Sequence, residues 1–445
     1  MAALILLATA ACESVRSAVA TQVPGFRLTL TAASLPPLTQ TALALHKPTP
    51  YVPLATALPI PPQSTDTLPP PSPSPTPLPA AGLSVSLAIV NGTLIDGTGA
   101  DPVPDAVLLI AGDRIVAAGP AAAVKVPPGV KTVDAGGGTL LPGFINAHVH
   151  LGFNKDNLKA WALGGVTTVR DESASPGQIT GLAAFREEIS ANPEYARLIS
   201  AGSMLGVPGG YGNRFITSPE EARQAVEEEL ADGVNLVKVS LEDGYAGKHD
   251  LPKLTTEELA AIVSAAHAHG LPVSAHITQG RFLQPFLDAG VDDIAHVPYD
   301  FIPPESLKQM AAQGVYLVPT FTVFRNYGAP ITGCVNNLHQ FVALGGQVAL
   351  GNDYSGGPGP FELGIPMFEI QSMSQAGMTP MQIIVASTRN AALVSNIEKD
   401  LGTLAPGKIA DVLVVGGNPL EDLQALTQIQ LVIHNGVMIR NEVEK

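Results

Sequence analysis

Four histidines, a lysine and an aspartate recur at regular intervals through the middle of this chain: His148, His150, Lys238, His276, His296 and Asp353. Neutral imidazole and carboxylate are nitrogen and oxygen ligands for divalent cations. His148 and His150 sit two apart in INAHVH, and on a strand that spacing turns both side chains to one face. Lys238 lies in NLVKVS, His276 in VSAHI, His296 in DIAHV and Asp353 in ALGND. From Lys238 to His276 is 38 residues and from His276 to His296 is 20, each the length of one strand–helix unit, while the 57 to Asp353 fit two. A single buried histidine is usually a hydrogen-bonded core residue. An HxH pair with two further histidines and an aspartate, all at strand ends in one register, is better explained as a metal site.

Lys238 is the unusual member. Leu236, Val237 and Val239 surround it, and removing an ammonium group from water is costly. Two readings stay open. The lysine pairs with Asp353 or another carboxylate, or its uncharged amine takes up CO₂ as a carbamate. A carbamate is an anion with two oxygens, able to bridge cations roughly 3.5–4 Å apart.

The segments that must carry these residues alternate. TLLPGFINAHVH, GVTTVRD, ARLISAG, NLVKVS, PVSAHI, DIAHV, VYLVPTF and QVALGND read as strands, with helical stretches between them. Ser218-Pro219-Glu220-Glu221 and Thr255 to Glu258 read as capping boxes, and Gly233, Gly270, Gly290, Gly314 and Gly346 mark helix ends. Eight such units over residues 142–400 predict an α/β fold, a (β/α)8 TIM barrel, in which catalytic groups gather at the C-terminal ends of the strands. Short β-rich flanks at 84–141 and 401–445 predict one composite β-sandwich domain built from both ends.

Composition narrows the function further. The 445 residues are 46% hydrophobic and 14% charged, with net charge −15 and no basic run, which opposes nucleic-acid binding. Two cysteines, Cys12 and Cys334, exclude a cysteine-rich metal site and a disulfide framework. Residues 1–20 read as a signal segment, in which MAALILLATAAC ends on a lipoprotein-like Cys12. Residues 21–83 read as a disordered linker, with 13 prolines between 48 and 79, a composition that favours extended polyproline II. The expectation is an exported protein tethered to a membrane through Cys12.

PGFINAHVHL, GVTTVRD, the lysine of NLVKVS, SAHI, DDIAHV, ALGND, ASTRNAALV and LGTLAPGKIADVLVV together resemble the amidohydrolase superfamily, nearest its imidazolonepropionase-like and Xaa-Pro dipeptidase-like members. The resemblance runs over about residues 84–440. It implies two divalent ions, Zn²⁺ being expected. His148 and His150 would hold one and His276 and His296 the other, with carboxylated Lys238 bridging and Asp353 ligating the first. Asp353 and Lys238 are then the catalytic residues, and the substrate is a small amide, a dipeptide or an N-acyl amino acid. Competing readings are a mononuclear deaminase or cyclic-amide hydrolase, a lactone or phosphotriester hydrolase, and an inactive barrel that only binds.

Around that centre, Arg170 reads either as an ion-pair partner or as an anchor for a substrate carboxylate. Tyr211, Arg214, Tyr245 and His249 fall in loops above the strand ends and are candidate substrate contacts. His267 and His269 diverge on a helix and read as structural, and Cys334 as inert. Self-association into a homo-oligomer is a further expectation. Deleting residues 1–82, so that the chain starts at Leu83, should leave a soluble protein. Its melting temperature by circular dichroism should move by less than about 2 °C, because the Pro-rich segment supplies no core.

Overall fold

The computed structural model describes residues 84–244, 250–356 and 361–443. The expected leader, Cys12 and the Pro-rich linker lie outside the described residues, as do Tyr245 and His249. No helix among the described residues is long and apolar enough to cross a membrane.

Both flanks meet in one mixed sheet. From the first come β1 (Leu87–Leu94), β2 (Val103–Ala111), β3 (Arg114–Pro120), β4 (Lys131–Asp134) and β5 (Thr139–Pro142). The middle of the chain carries β6 (Phe144–Val149), β7 (Val166–Asp171), β8 (Arg197–Ser200), β9 (Met204–Gly206) and β10 (Arg214–Phe215). It continues with β11 (Val237–Ser240), β12 (Val273–His276), β13 (Asp293–Ala295) and β14 (Tyr316–Val318). The second flank adds β15 (Val412–Val415), β16 (Ile429–His434) and β17 (Val437–Asn441). The outer sheet runs β17-β16-β15-β5-β1-β2-β3, with β4 beside β1. Alternation along its strands sorts the residues by face. Val412 and Val414 join the sheet's own core with Leu108 and Ile110, while Leu413 and Val415 turn into the large core of the middle segment.

The strand expected from TLLPGFINAHVH is two strands. It divides at Gly143, where a Cβ would lie 2.4 Å from Thr167 Oγ1, so β5 stays in the outer sheet and β6 starts the parallel set.

The inner strands are parallel and follow chain order: β6-β7-β8 in one ladder and β9-β11-β12-β13-β14, with β10 outside β9, in another. Asn235 N–H donates to Ser200 O at 2.9 Å where the two ladders meet. On the other side residues 347–354 lie between β14 and β6. Leu317 bridges Val348, Val149 bridges Tyr354, and Ala147 N–H donates to Leu350 O at 2.7 Å. The expected strand QVALGND is therefore not continuous: one isolated bridge falls in it at Val348 and the next just past it at Tyr354. Asp353 adopts φ +52°, which interrupts extended pairing just before Tyr354, at the residue that must turn its carboxylate toward the histidines.

The helix signals hold with two changes. Thr255 and Glu258 form a reciprocal capping box on the helix Thr256–Ala268. Ser218 caps Pro219–Ala231 by accepting from Glu221 N–H, but the Glu221 carboxylate accepts from Thr217 N–H, so no box forms there. Gly233, Gly270, Gly290 and Gly314 take positive φ at helix ends, whereas at the fifth position Gly345 does so. Gly346 is small for another reason, because a Cβ there would meet the Phe341 ring at 2.5 Å.

Gly351 is the tightest point under the histidines: a Cβ would sit 2.4 Å from Val318 Cγ1 and 2.6 Å from His148 Cβ. Gly351→Ala should cost about 1–3 kcal/mol by overpacking, read as a lowered urea midpoint with unchanged slope.

Candidate metal centre

His148, His150, His276, His296 and Asp353 come together at the C-terminal ends of the parallel strands. His148 and Val149 close β6, His276 closes β12 and His296 follows β13, with the His148–His296 ring centroids 4.8 Å apart and His276–His296 4.6 Å. Asp353 Oδ1 lies 3.1 Å from His150 Nε2 and 3.5 Å from His148 Nε2, and Oδ2 lies 3.7 Å from His296 Nδ1. One ligand atom from each of His148, His150 and Asp353 falls within 4.8 Å of the others, a spacing that suits one shared cation. His296 Nε2 lies 2.9 Å from His276 Nδ1.

Backbone strain concentrates here. Leu151, His296, Thr320 and Asp353 adopt φ of +60°, +77°, +56° and +52°. Non-glycine residues pay steric strain in this region and hold it only where surrounding contacts over-determine the conformation. Below the strand ends, Asn146 Nδ2 donates to Asn352 Oδ1 at 2.9 Å and ties the start of the HxH segment to the residue before Asp353.

Burial disfavours the charged form of three of the four imidazoles. It pushes His148, His276 and His296 well below the usual histidine range, reinforced at His148 and His276 by the nearby Lys238 cation and at His296 first by His276. For His150 burial acts the same way, but the Asp353 carboxylate outweighs it and raises the group. His148 Nδ1 and His276 Nε2 are buried with no hydrogen-bond partner. A buried ring nitrogen without a partner is rare and calls for a ligand.

Lys238 is 1% exposed, and its Nζ donates to Glu172 Oε2 at 2.6 Å. Of the two readings of this lysine, the structure displays the ion pair, with Glu172 as the carboxylate in place of Asp353. Glu172 Oε1 lies 2.7 Å from Arg170 Nε, whose N–H is aimed at Ala147 O, and the Arg170 terminal nitrogens hold Asp293 at 2.9 and 3.1 Å. Burial raises the Glu172 carboxyl, but Arg170 and then Lys238 outweigh it and hold the group below its ordinary range. Two cations and two anions are thus buried as a neutral quartet.

The other candidates divide. Arg170 is fully buried, and a substrate carboxylate would have to displace Asp293 to reach it; the geometry matches its ion-pair reading. Arg214 faces the helix Pro219–Ala231, paired with Glu228 and 3.6 Å from Glu229. Tyr211 stacks on His276 at 4.4 Å between ring centroids. Gly206 allows that approach, because a Cβ there would lie 2.4 Å from Tyr211 O. His267 and His269 bond apart, to Asp292 and Glu227, and buried Cys334 is pushed up to about 12 by desolvation. Sequence reasoning passed over Glu172, Asp293, Thr320 and Glu369. An acidic residue directly after GVTTVRD and the Asp pair opening DDIAHV were the available signs of the quartet.

A model of the amidohydrolase family matches residues 139–439. An ochratoxinase of Aspergillus niger is 29% identical over 299 residues, covering 62% of this chain and 61% of that protein. The chain thus spans about three fifths of that relative's length. Imidazolonepropionase of Symbiobacterium thermophilum is 25% identical over 367 residues, 70% of this chain and 84% of that one. A crystal structure of a Xaa-Pro dipeptidase with methionine in its active site superposes with a TM-score of 0.70 and 25% identity, over 80% of this chain and 100% of that one.

In metal-free protein Glu172→Gln should lose about 3–5 kcal/mol of stability by leaving Lys238 unpaired. Lys238→Met added to it should restore part of that loss, since only Arg170–Asp293 would remain charged. Urea unfolding of both variants checks the order.

Proposed function

The chain belongs to the amidohydrolase family, and from that premise we propose that it is a metal-dependent hydrolase of carbon–nitrogen bonds in small amides, such as dipeptides or N-acyl amino acids. The observation that carries the reading is the convergence of His148, His150, His276, His296 and Asp353 on one mouth, with ring nitrogens of His148 and His276 buried and unpartnered. Neutral, buried imidazoles beside a carboxylate fit a divalent cation such as Zn²⁺. The same proposal treats residues 142–400 as a closed (β/α)8 barrel, supported by the bridges of 347–354 to both neighbours, and 84–141 with 401–445 as its composite β-sandwich. It includes export with acylation at Cys12.

Two cations are proposed, held by His148, His150 and Asp353 and by His276 and His296, with Lys238 between them as a carbamate. When bound, they would supply Lewis acidity at the scissile carbonyl and a hydroxide available near neutral pH. Carboxylation takes two protons from the Lys238 ammonium group, one to free the amine and one as its nitrogen bonds the carbon of CO₂, and so turns a cation into an anion. The quartet of Arg170, Glu172, Lys238 and Asp293 would then carry net negative charge, so the modification is favourable only together with cation binding. Glu172 must release Lys238 in the same event. Asp353, between His150 and His296, is placed to take a proton from the attacking water and return it to the leaving nitrogen.

A second reading has its own support. Lys238 paired to Glu172 is an ammonium group and does not bridge, and His148, His150 and Asp353 alone form a compact set. That favours a single cation and deaminase-like or cyclic-amide chemistry. Elemental analysis of protein expressed with added zinc separates the two. The proposal expects about two ions per chain, and Lys238→Ala with turnover on Xaa-Pro or N-acyl amino acid libraries reduced at least about a hundredfold. About one ion per chain with Lys238→Ala unimpaired establishes the mononuclear reading.

A further inference from the structure

We infer that Glu369 is a positioning residue for His296, acting through the turn at Thr320–Thr322 and the Thr320 hydroxyl. This rests on the reading of His296 as a metal ligand. The helix Phe321–Asn326 starts directly above β14, and its cap residue Thr320 is fully buried at φ +56°. A threonine at this position ordinarily accepts a hydrogen bond from the first turn's backbone. Here it makes no such cap bond; its Oγ1 lies 2.7 Å from His296 Nδ1 instead.

The orphaned first turn is taken over by Glu369, which comes from the helix Met367–Gln375 and has no solvent exposure. Its Oε1 accepts from Phe321 N–H at 2.8 Å, and its Oε2 accepts from Thr322 N–H and Thr322 Oγ1 at 2.9 Å each. One carboxyl group thereby does the capping that frees the Thr320 hydroxyl for the histidine. It also braces a left-handed residue next to a second one, His296 at φ +77°. With the proton on Nδ1 and Thr320 accepting it, the Nε2 lone pair points into the site, where a cation would replace its 2.9 Å contact with His276 Nδ1, and the ring plane is fixed by the Thr320 bond. A carboxylate used only to stabilise the helix would need no such exchange of roles with Thr320.

The test is cobalt binding to metal-free protein, followed by visible absorption, which reports the histidine ligands apart from turnover. Wild type, Glu369→Gln, Thr320→Val, the double variant and Thr320→Ser are compared, with His296→Ala as reference. Glu369→Gln and Thr320→Val are each expected to weaken cobalt binding about 10–100-fold and to alter its spectrum. The double variant should lose little more than the larger single loss, because both act on one path, and Thr320→Ser should stay near wild type. Wild-type cobalt affinity in Glu369→Gln overturns the inference whatever happens to thermal stability, and so do losses that multiply in the double variant. If His296→Ala binds cobalt as wild type does, the ligand reading beneath the inference fails instead. Should Glu369→Gln not fold, Thr322→Val removes a single donor to the same carboxylate. A loss of threefold or more supports the path, and no loss overturns it.

Discussion

Lys238 and Arg170 are cations with no water to solvate them, and everything near the strand ends is arranged around that fact. Removing charge from water is so unfavourable that each needs an anion within hydrogen-bond reach. Glu172 and Asp293 provide it, and Ser274 Oγ adds a 2.8 Å hydrogen bond to Asp293. The resulting quartet joins β7 and the residue after it to β11 and β13, and Ser274 ties in β12. Its balance is also what makes the centre responsive, because changing the charge of any one member obliges compensation from the others. A carboxylated lysine and bound cations would satisfy that condition jointly, and neither would do so alone.

Above the quartet the backbone, more than the side chains, sets the geometry. His296, Thr320 and Asp353 all leave extended conformation in the left-handed region at the ends of their segments. Each departure turns a side chain into the mouth instead of continuing the strand. The bonds that hold them come from a distance: Asn146 to Asn352, and Glu369 to the turn after Thr320. This division between a strained rim and a rigid base is what a site needs when its ligand atoms must be placed to within fractions of an ångström.

That the four histidines and Asp353 would gather was legible in the sequence because chemistry and periodicity coincide there. An HxH at a strand end, with further histidines one βα unit apart, has few structural explanations. The strand-helix alternation was legible for the same reason, down to four of the five glycines at helix ends. The boundary at Gly143 was not, since it depends on Thr167, which only the fold brings within 2.4 Å. Nor was the last strand, whose apolar pattern looks extended but whose Asp353 conformation interrupts pairing. Glu172 and Glu369 escaped notice because an acidic residue in a sequence gives no sign of being buried. Their roles follow from partners 66 and 47–48 residues away. Arg170 was readable only as a pair of alternatives, and full burial against Asp293 supplies the missing term.

The central claim is that Lys238 exchanges its pairing with Glu172 for a carbamate when cations bind. The most direct measurement is carbon NMR of protein reloaded with zinc in the presence of ¹³C-labelled bicarbonate. The account predicts a carbamate carbon resonance that appears only with metal and is absent in Lys238→Ala. An active, zinc-loaded protein without that resonance would contradict it.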